Sequence, residues 1–180
     1  MSTTTHLMTA DELFNLPDDS LRHELIKGEL LTMSPAGFKH DVIGTTLTAL
    51  LFNHVRANNL GIVVSGDTGF KLASDPDTVL APDGAFIARE RVGVISEGFF
   101  AGPPDVAIEV RSPSDRRTKV DRKTALWLSF GVKSVWLVDP RQRTVEVVRV
   151  DGLRKLFCES DELVDDTVPG FRVGVSEIFN

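Results

Sequence analysis

The sequence predicts an α+β (mixed α/β) fold: a mixed sheet flanked by helices, with an N-terminal helix and hairpin and with C-terminal strands, in one domain over residues 1–180. Three observations predict it. Residues 40–57 and 115–130 carry apolar side chains at spacings of three and four, the period of a helix. Around them lie short apolar runs bounded by Gly, Pro, Asn and Asp, the pattern of strands. One run, residues 105–111, is apolar at nearly every position apart from its acids, as expected of a central strand covered on both faces.

The elements follow in order. Thr9-Ala10-Asp11-Glu12 fits a capping box and opens a short helix to about Leu16, stopped by Pro17 and Asp18-Asp19. Residues 21–33 read as two strands turning at Lys27-Gly28, and residues 34–39 as a loop. The helix over 40–57 places Val42, Ile43, Leu47, Leu50, Leu51 and Val55 at helical spacing and ends at Asn58-Asn59 and Gly61. Residues 62–64 and 68–72 read as a strand pair around Gly66, and 78–88 as an apolar run interrupted at Pro82 and Gly84. Residues 90–104 hold three glycines and read as a loop or short helix. Ser114 is the expected N-cap of the second helix and Gly131 its C-terminal stop. Residues 134–139 form a strand ended by Pro140. Residues 144–150 and 154–158 form a hairpin around Asp151-Gly152. The acidic stretch 161–166 reads as a surface turn before a last short strand and Ile178-Phe179.

Composition narrows the function. With 42% hydrophobic and 26% charged residues the chain suits a soluble globular core. Its net charge of −6 argues against coating nucleic acid by bulk charge, though not against a local basic cleft. The single Cys158 excludes an intramolecular disulfide and a multi-cysteine zinc site. No signal-like segment or long apolar run is present, which leads us to expect no membrane association and a cytoplasmic location.

The chemistry concentrates in two motifs. Ala81-Pro82-Asp83-Gly84 and Asp105-Val106-Ala107-Ile108-Glu109-Val110-Arg111-Ser112-Pro113-Ser114 each set a carboxylate in or beside a strand-like run. Two carboxylates aimed at one place, with a cation nearby, suit divalent-metal chemistry on a phosphate ester. A basic segment follows directly: residues 111–133 hold seven basic and two acidic side chains, a local excess of +5 in a chain of net charge −6. A charge run is usually a solvated helix face; its place beside an acid-bearing strand favours a phosphate-binding edge. Wound at 100° per residue, the second helix gathers Val120, Leu126, Trp127, Leu128 and Phe130 on one arc, with Asp121, Arg122, Ala125 and Ser129 opposite. Lys123 falls inside the apolar arc. Such a lysine either snorkels past Trp127 or meets a carboxylate.

Other residues read more simply. Asp105 follows Pro104 at a strand start, as a turn-capping acid does; Ser112 and Ser114 precede a helix, as caps do. His23, His40 and His54 lack zinc-site spacing, although His40 opens a helix beside a Pro/Gly loop from which it can enter a cleft. Trp127 and Trp136 read as core. No nucleophile elbow, Walker loop or dinucleotide loop is present.

Four segments together resemble the Uma family of endonucleases, within the PD-(D/E)xK superfamily and its restriction-endonuclease-like fold. They are Glu24-Leu25-Ile26-Lys27-Gly28-Glu29-Leu30; Pro82-Asp83; Pro104 through Ser114; and Asp121-Arg122-Lys123 with Gly131-Val132 and Val135-Trp136-Leu137-Val138-Asp139-Pro140. The resemblance implies Asp83 and Glu109 as ligands of Mg²⁺ or Mn²⁺, Glu24 as an additional catalytic acid, and hydrolysis of DNA phosphodiesters. Where the superfamily usually places lysine, two residues beyond Glu109, this chain has Arg111, which cannot act as a base. Lys123 matches the position from which the Uma family supplies its lysine. Arg111, Arg116 and Ser112 are the expected phosphate contacts. A homodimer would suit an enzyme that cuts both strands. The competing expectation is an inactive nucleic-acid-binding or assembly module on the same fold, favoured by Arg111 and the acidic net charge.

Overall fold

In the computed structural model, which describes residues 6–180, the chain is an α+β structure of two main sheets and two long helices. α1 (Ala10–Phe14) begins with the capping box: Thr9 accepts from the Glu12 N–H at 3.2 Å and Glu12 accepts from the Thr9 N–H at 2.7 Å. β1 (Arg22–Ile26) and β2 (Glu29–Met33) form a hairpin whose two turn residues, Lys27 and Gly28, have φ of 53° and 78°. Both lie in the left-handed region that a tight two-residue hairpin demands.

α2 (Phe38–Ala57) follows, then β3 (Gly61–Ser65), β4 (Phe70–Ala73), β5 (Thr78–Leu80) and β6 (Gly84–Ala88). A 3₁₀ turn (Arg89–Arg91) and β7 (Phe100–Ala101) lead to β8 (Val106–Val110) and α3 (Arg117–Ser129). β9 (Ser134–Asp139), β10 (Thr144–Arg149) and β11 (Arg154–Phe157) complete the larger sheet. β12 (Glu162–Val164), β13 (Arg172–Gly174) and α4 (Val175–Ile178) close the chain.

The sheets run in the orders β2-β1-β5-β4-β7 and β11-β10-β9-β8-β6-β3. β8 is interior to the second, antiparallel to β6 and parallel to β9, as its two-sided apolar pattern predicts. Side chains alternate across this sheet. Phe86, Ile108, Trp136 and Val138 pack with Ile43, Leu47, Leu51 and Val55 of α2. Ala85, Ala107, Val135 and Leu137 pack on the other side with Trp127 of α3 and with Phe70 and Leu80 of the five-stranded sheet. By the same alternation Glu109 faces α3 and not α2.

Three expectations fail. β3 and β4 do not pair: β3 pairs with β6, and β4 with β5 and β7, because the run 78–88 is two strands in different sheets. Pro82, with no N–H to give a ladder, lies where the chain crosses between them. Ser114 does not cap α3; Arg116 stands at the N-cap without a side-chain bond, while Asp115 accepts from the Ser112 N–H at 2.9 Å in a tight turn. The acidic stretch is no surface turn either. β12 pairs with β13, Leu163 is fully buried, and buried Asp165 accepts from Trp136 Nε1 at 2.7 Å.

Candidate functional site

The crossing at Pro82-Asp83 creates the site. Asp83 sits at the entry to β6, where its N–H donates to Ile108 O at 2.9 Å, so it lies beside the Glu109 end of β8. Gly84 is needed there: a Cβ on it would stand 2.5 Å from Thr48 Oγ1 of α2. β1, in the other sheet, sends Arg22 and Glu24 inward together, since residues two apart share a strand face. α2 contributes half-buried His40, three residues before buried Ile43 and so on the same side of the helix. α3 contributes Lys123 and Trp127, four residues apart on its inward face, with Thr124 between them spending its hydroxyl on Val120 O at 2.8 Å.

Glu24, Asp83, Glu109 and Lys123, four residues singled out in the sequence, therefore meet. Lys123 Nζ lies 3.1 Å from Glu24 Oε1 and 2.9 Å from Glu109 Oε1. Glu24 is 3% exposed and also accepts from the Ala81 N–H at 3.0 Å. Trp127 Nε1 donates to Glu109 Oε1 at 2.8 Å. Among the described residues no hydrogen bond or ion pair reaches Glu109 Oε2. Lys123 does not snorkel; it is held between two carboxylates from different sheets.

Arg22 and His40 complete the cluster. Arg22 NH1 donates to Asp83 Oδ1 at 2.8 Å, and NH2 donates to Ala81 O. His40 Nε2 lies 3.3 Å from Asp83 Oδ2, which also accepts from the Val110 N–H at 2.7 Å. No sequence motif points to Arg22; its one signal is the i−2 spacing from Glu24. The opening for His40 noted in the sequence is realised.

The expected phosphate contacts lie elsewhere. Arg111 pairs with Asp139 and, with Arg117 and Asp121, lines a separate small cavity. Arg116 is exposed at the helix start, and Ser112 is held in the turn with Asp115. Asp105 is no simple turn cap: fully buried, it pairs with Arg91 at 3.0 Å and Lys133 at 2.8 Å at the far end of β8.

The electrostatics follow from burial and pairing. Burial resists ionisation of Asp83, but His40, Arg22 and the Val110 N–H outweigh it and hold the carboxyl well below its usual range. Burial pushes Glu109 up to about 7, aided by the charges of Asp83 and Glu24 and opposed by Lys123. Hydrogen bonding to Asp83 outweighs desolvation and raises His40 to about 9. Burial would lower the Lys123 pKa, but Glu109 and Glu24 reverse it and hold the ammonium firmly protonated. Three carboxylates are thus interleaved with three basic groups in a space closed to most water.

Hard carboxylate oxygens are the donors Mg²⁺ and Mn²⁺ prefer, so the chemistry of Asp83, Glu109 and Glu24 fits such an ion. Their grouping is shaped by their cations: among the described residues no three His, Cys, Asp or Glu side chains are arranged around one metal position. Among the described residues no helix is long and apolar enough to cross a membrane.

Comparisons with known proteins find a family and a fold for the chain. The family model Uma2, described as "Putative restriction endonuclease", matches residues 10–176. Among solved structures the chain resembles one titled as a "putative nuclease belonging to DUF820" from Anabaena variabilis ATCC 29413, with a TM-score of 0.79 and 23% identity over 96% of this chain and 97% of that one. The two share a fold. No curated protein matches the chain.

Proposed function

Since the chain belongs to the Uma2 restriction endonuclease family, we propose that it is an endonuclease that hydrolyses DNA phosphodiester bonds with Mg²⁺ or Mn²⁺. One observation carries this reading: Glu24, Asp83, Glu109 and Lys123, separated by up to 99 residues, converge in one largely buried cluster. Isolated structural ion pairs have no need of three carboxylates in a single space, where like charges raise one another's ionisation cost.

Asp83 and Glu109 would hold the metal ion, and Glu109 Oε2 is open to it. The ion, when bound, supplies Lewis acidity and lowers the pKa of a water molecule. The chain does the rest. An ammonium has three N–H donors; Lys123 directs donors at Glu24 and Glu109 and keeps another for a phosphate oxygen or a water. Glu24, fixed by the Ala81 N–H, anchors Lys123 from the opposite sheet. Trp127 fixes the Glu109 carboxylate through Oε1, so Oε2 is presented in one direction.

Plasmid nicking tests the proposal. Purified protein with Mg²⁺ or Mn²⁺ is expected to relax supercoiled DNA, and Asp83→Ala, Glu109→Ala and Lys123→Ala are each expected to abolish it. Equal cutting by all three variants would remove the cluster from the reaction. The competing reading, a module that binds nucleic acid without cutting it, draws support from the engagement of both Asp83 oxygens by basic groups. DNA binding by folded protein that takes up no Mn²⁺ at millimolar concentration would favour it.

A further inference from the structure

Asp83 is the residue whose surroundings conflict most with the proposed chemistry. A carboxylate that is to receive a cation already has donors on both oxygens. The two oxygens differ in how they are held. Oδ2 is tied to a backbone N–H, that of Val110, which the sheet fixes in place. Oδ1 is held by Arg22, a side chain on another sheet. Oδ1 is therefore the position a cation can take, and Arg22 is its present occupant.

Arg22 is also incompletely anchored. Its NH2 donates to Ala81 O, but Nε is buried with no hydrogen-bond partner among the described residues. Nε faces Asp67 only at 3.5 Å, and the Asp67 side chain is 85% exposed. A guanidinium with a spare donor is suited to an anion with several acceptor oxygens, which a phosphodiester is. Charge points the same way. Arg22 is paired with Asp83 Oδ1, so a divalent ion taking that oxygen leaves a permanently charged guanidinium without its carboxylate, and a phosphate can supply the missing anion.

Resting on the nuclease reading above, we propose that Arg22 is an exchange residue: a divalent cation displaces its guanidinium from Asp83 Oδ1, and the freed guanidinium takes a phosphate oxygen of the DNA, so that cation and DNA each strengthen the other's binding. Coupling of this kind is reciprocal and lies in the range of roughly 5- to 150-fold. Arg22 is then both a competitor of the metal and a ligand of the substrate.

Arg22→Met separates these roles, with readouts that do not involve cutting. Mn²⁺ binding to the full chain is measured by calorimetry without DNA, and binding of a short labelled duplex by fluorescence anisotropy in Ca²⁺ and in chelator. Wild type is expected to bind the duplex at least about fivefold tighter in Ca²⁺ than in chelator. Arg22→Met is expected to bind Mn²⁺ about fivefold or more tighter than wild type, its competitor gone, and to lose most of the Ca²⁺ enhancement of DNA binding. Mn²⁺ affinity unchanged or weaker in folded Arg22→Met, beside normal binding by wild type, overturns the exchange while leaving the nuclease reading standing. Absence of Mn²⁺ binding by folded wild type overturns both. Circular dichroism verifies folding; should Arg22→Met not fold, Arg22→Lys carries the test. A lysine cannot bridge Asp83 and Ala81 O with one planar fork, so it is expected to tighten Mn²⁺ binding and keep the DNA coupling; weaker Mn²⁺ binding by Arg22→Lys overturns the proposal.

Discussion

Replacing Lys123 with Met keeps an apolar stem out to Cε and removes the ammonium, with its charge, from between two buried carboxylates. At 3.1 and 2.9 Å, each contact is worth about 5–6 kcal/mol at an effective dielectric constant of about 20. Dehydrating the ammonium cancels several kcal/mol of that sum, and breaking such a buried pair has a net effect of about 3–5 kcal/mol. That is a large part of the roughly 5–15 kcal/mol that holds a domain together. The loss depends on pH. Glu109 titrates at about 7 with Lys123 in place, and without the cation it holds its proton to still higher pH. At pH 6 it is mostly neutral in both proteins, so the variant is expected to lose only about half the full amount. At pH 8.5 wild type has an ionised, paired Glu109, while the variant must bury an unpaired charge or take up a proton. The expected loss is then the full ~3–5 kcal/mol. Urea unfolding followed by tryptophan fluorescence, in chelator and at both pH values, measures it. A loss below about 1 kcal/mol, the worth of an exposed pair, or a loss equal at both pH values, would refute burial of the ammonium between the two acids.

Other perturbations have equally definite outcomes. Trp127→Phe removes the Nε1 donor from Glu109 and is expected to destabilise by about 1.5–3 kcal/mol, most strongly above pH 7, in the same urea assay. Gly84→Ala puts a Cβ 2.5 Å from Thr48 Oγ1 and is expected to cost about 1–3 kcal/mol by overpacking; pairing it with Thr48→Ala should restore part of that, and full additivity would show that the contact is not the cause. In wild type, raised pKa values at Glu109 (about 7, from 4.5) and His40 (about 9, from 6.5) mean that the folded state binds these protons more tightly. Stability from them is complete below the unfolded values and lost as pH rises through the folded ones. Asp83, lowered from 3.8, acts in the opposite sense, and its contribution is lost as pH falls below that value. Thermal melting in chelator should therefore be highest near pH 4.5 and decline towards pH 9; a flat profile over that interval would contradict the shifts.

The residues legible in the sequence share one property: each breaks a pattern that is otherwise clear. Lys123 interrupts an apolar helix stripe, Glu109 an apolar strand, and Pro82-Asp83 an apolar run. The fold class and most element boundaries were legible for a related reason, since alternation and helical spacing are local. Pairing between sheets is not local. β3 and β4 look like a hairpin because they are adjacent in sequence; nothing short-range shows that Pro82 sends the chain from one sheet to the other. The acidic stretch misled in the same way, since the partner that buries Asp165 is Trp136, 29 residues away. Arg22 lies on an ordinary half-buried strand; its spacing from Glu24 sets the face, but the carboxylate it meets, Asp83, comes from across the gap.

The choice of lysine at 123 and arginine at 22 follows from what each must bridge. Lys123 joins carboxylates on two different sheets through a single nitrogen, 3.1 Å from one and 2.9 Å from the other. A compact ammonium whose donors point in several directions can satisfy acids on opposite sides; a planar guanidinium directs its donors along one plane. Arg22 meets Asp83 Oδ1 and the Ala81 carbonyl with two nitrogens of one fork, two acceptors on the same side. The two cations consequently differ in how they can move. Lys123 cannot swing away without taking the ammonium from Glu24 and Glu109 together, whereas Arg22 can release Asp83 while its backbone stays in β1 and Asp83 keeps the Val110 N–H. The fixed cation is the one suited to holding charge at a reacting phosphate, and the releasable one is suited to controlling when the site accepts its ion.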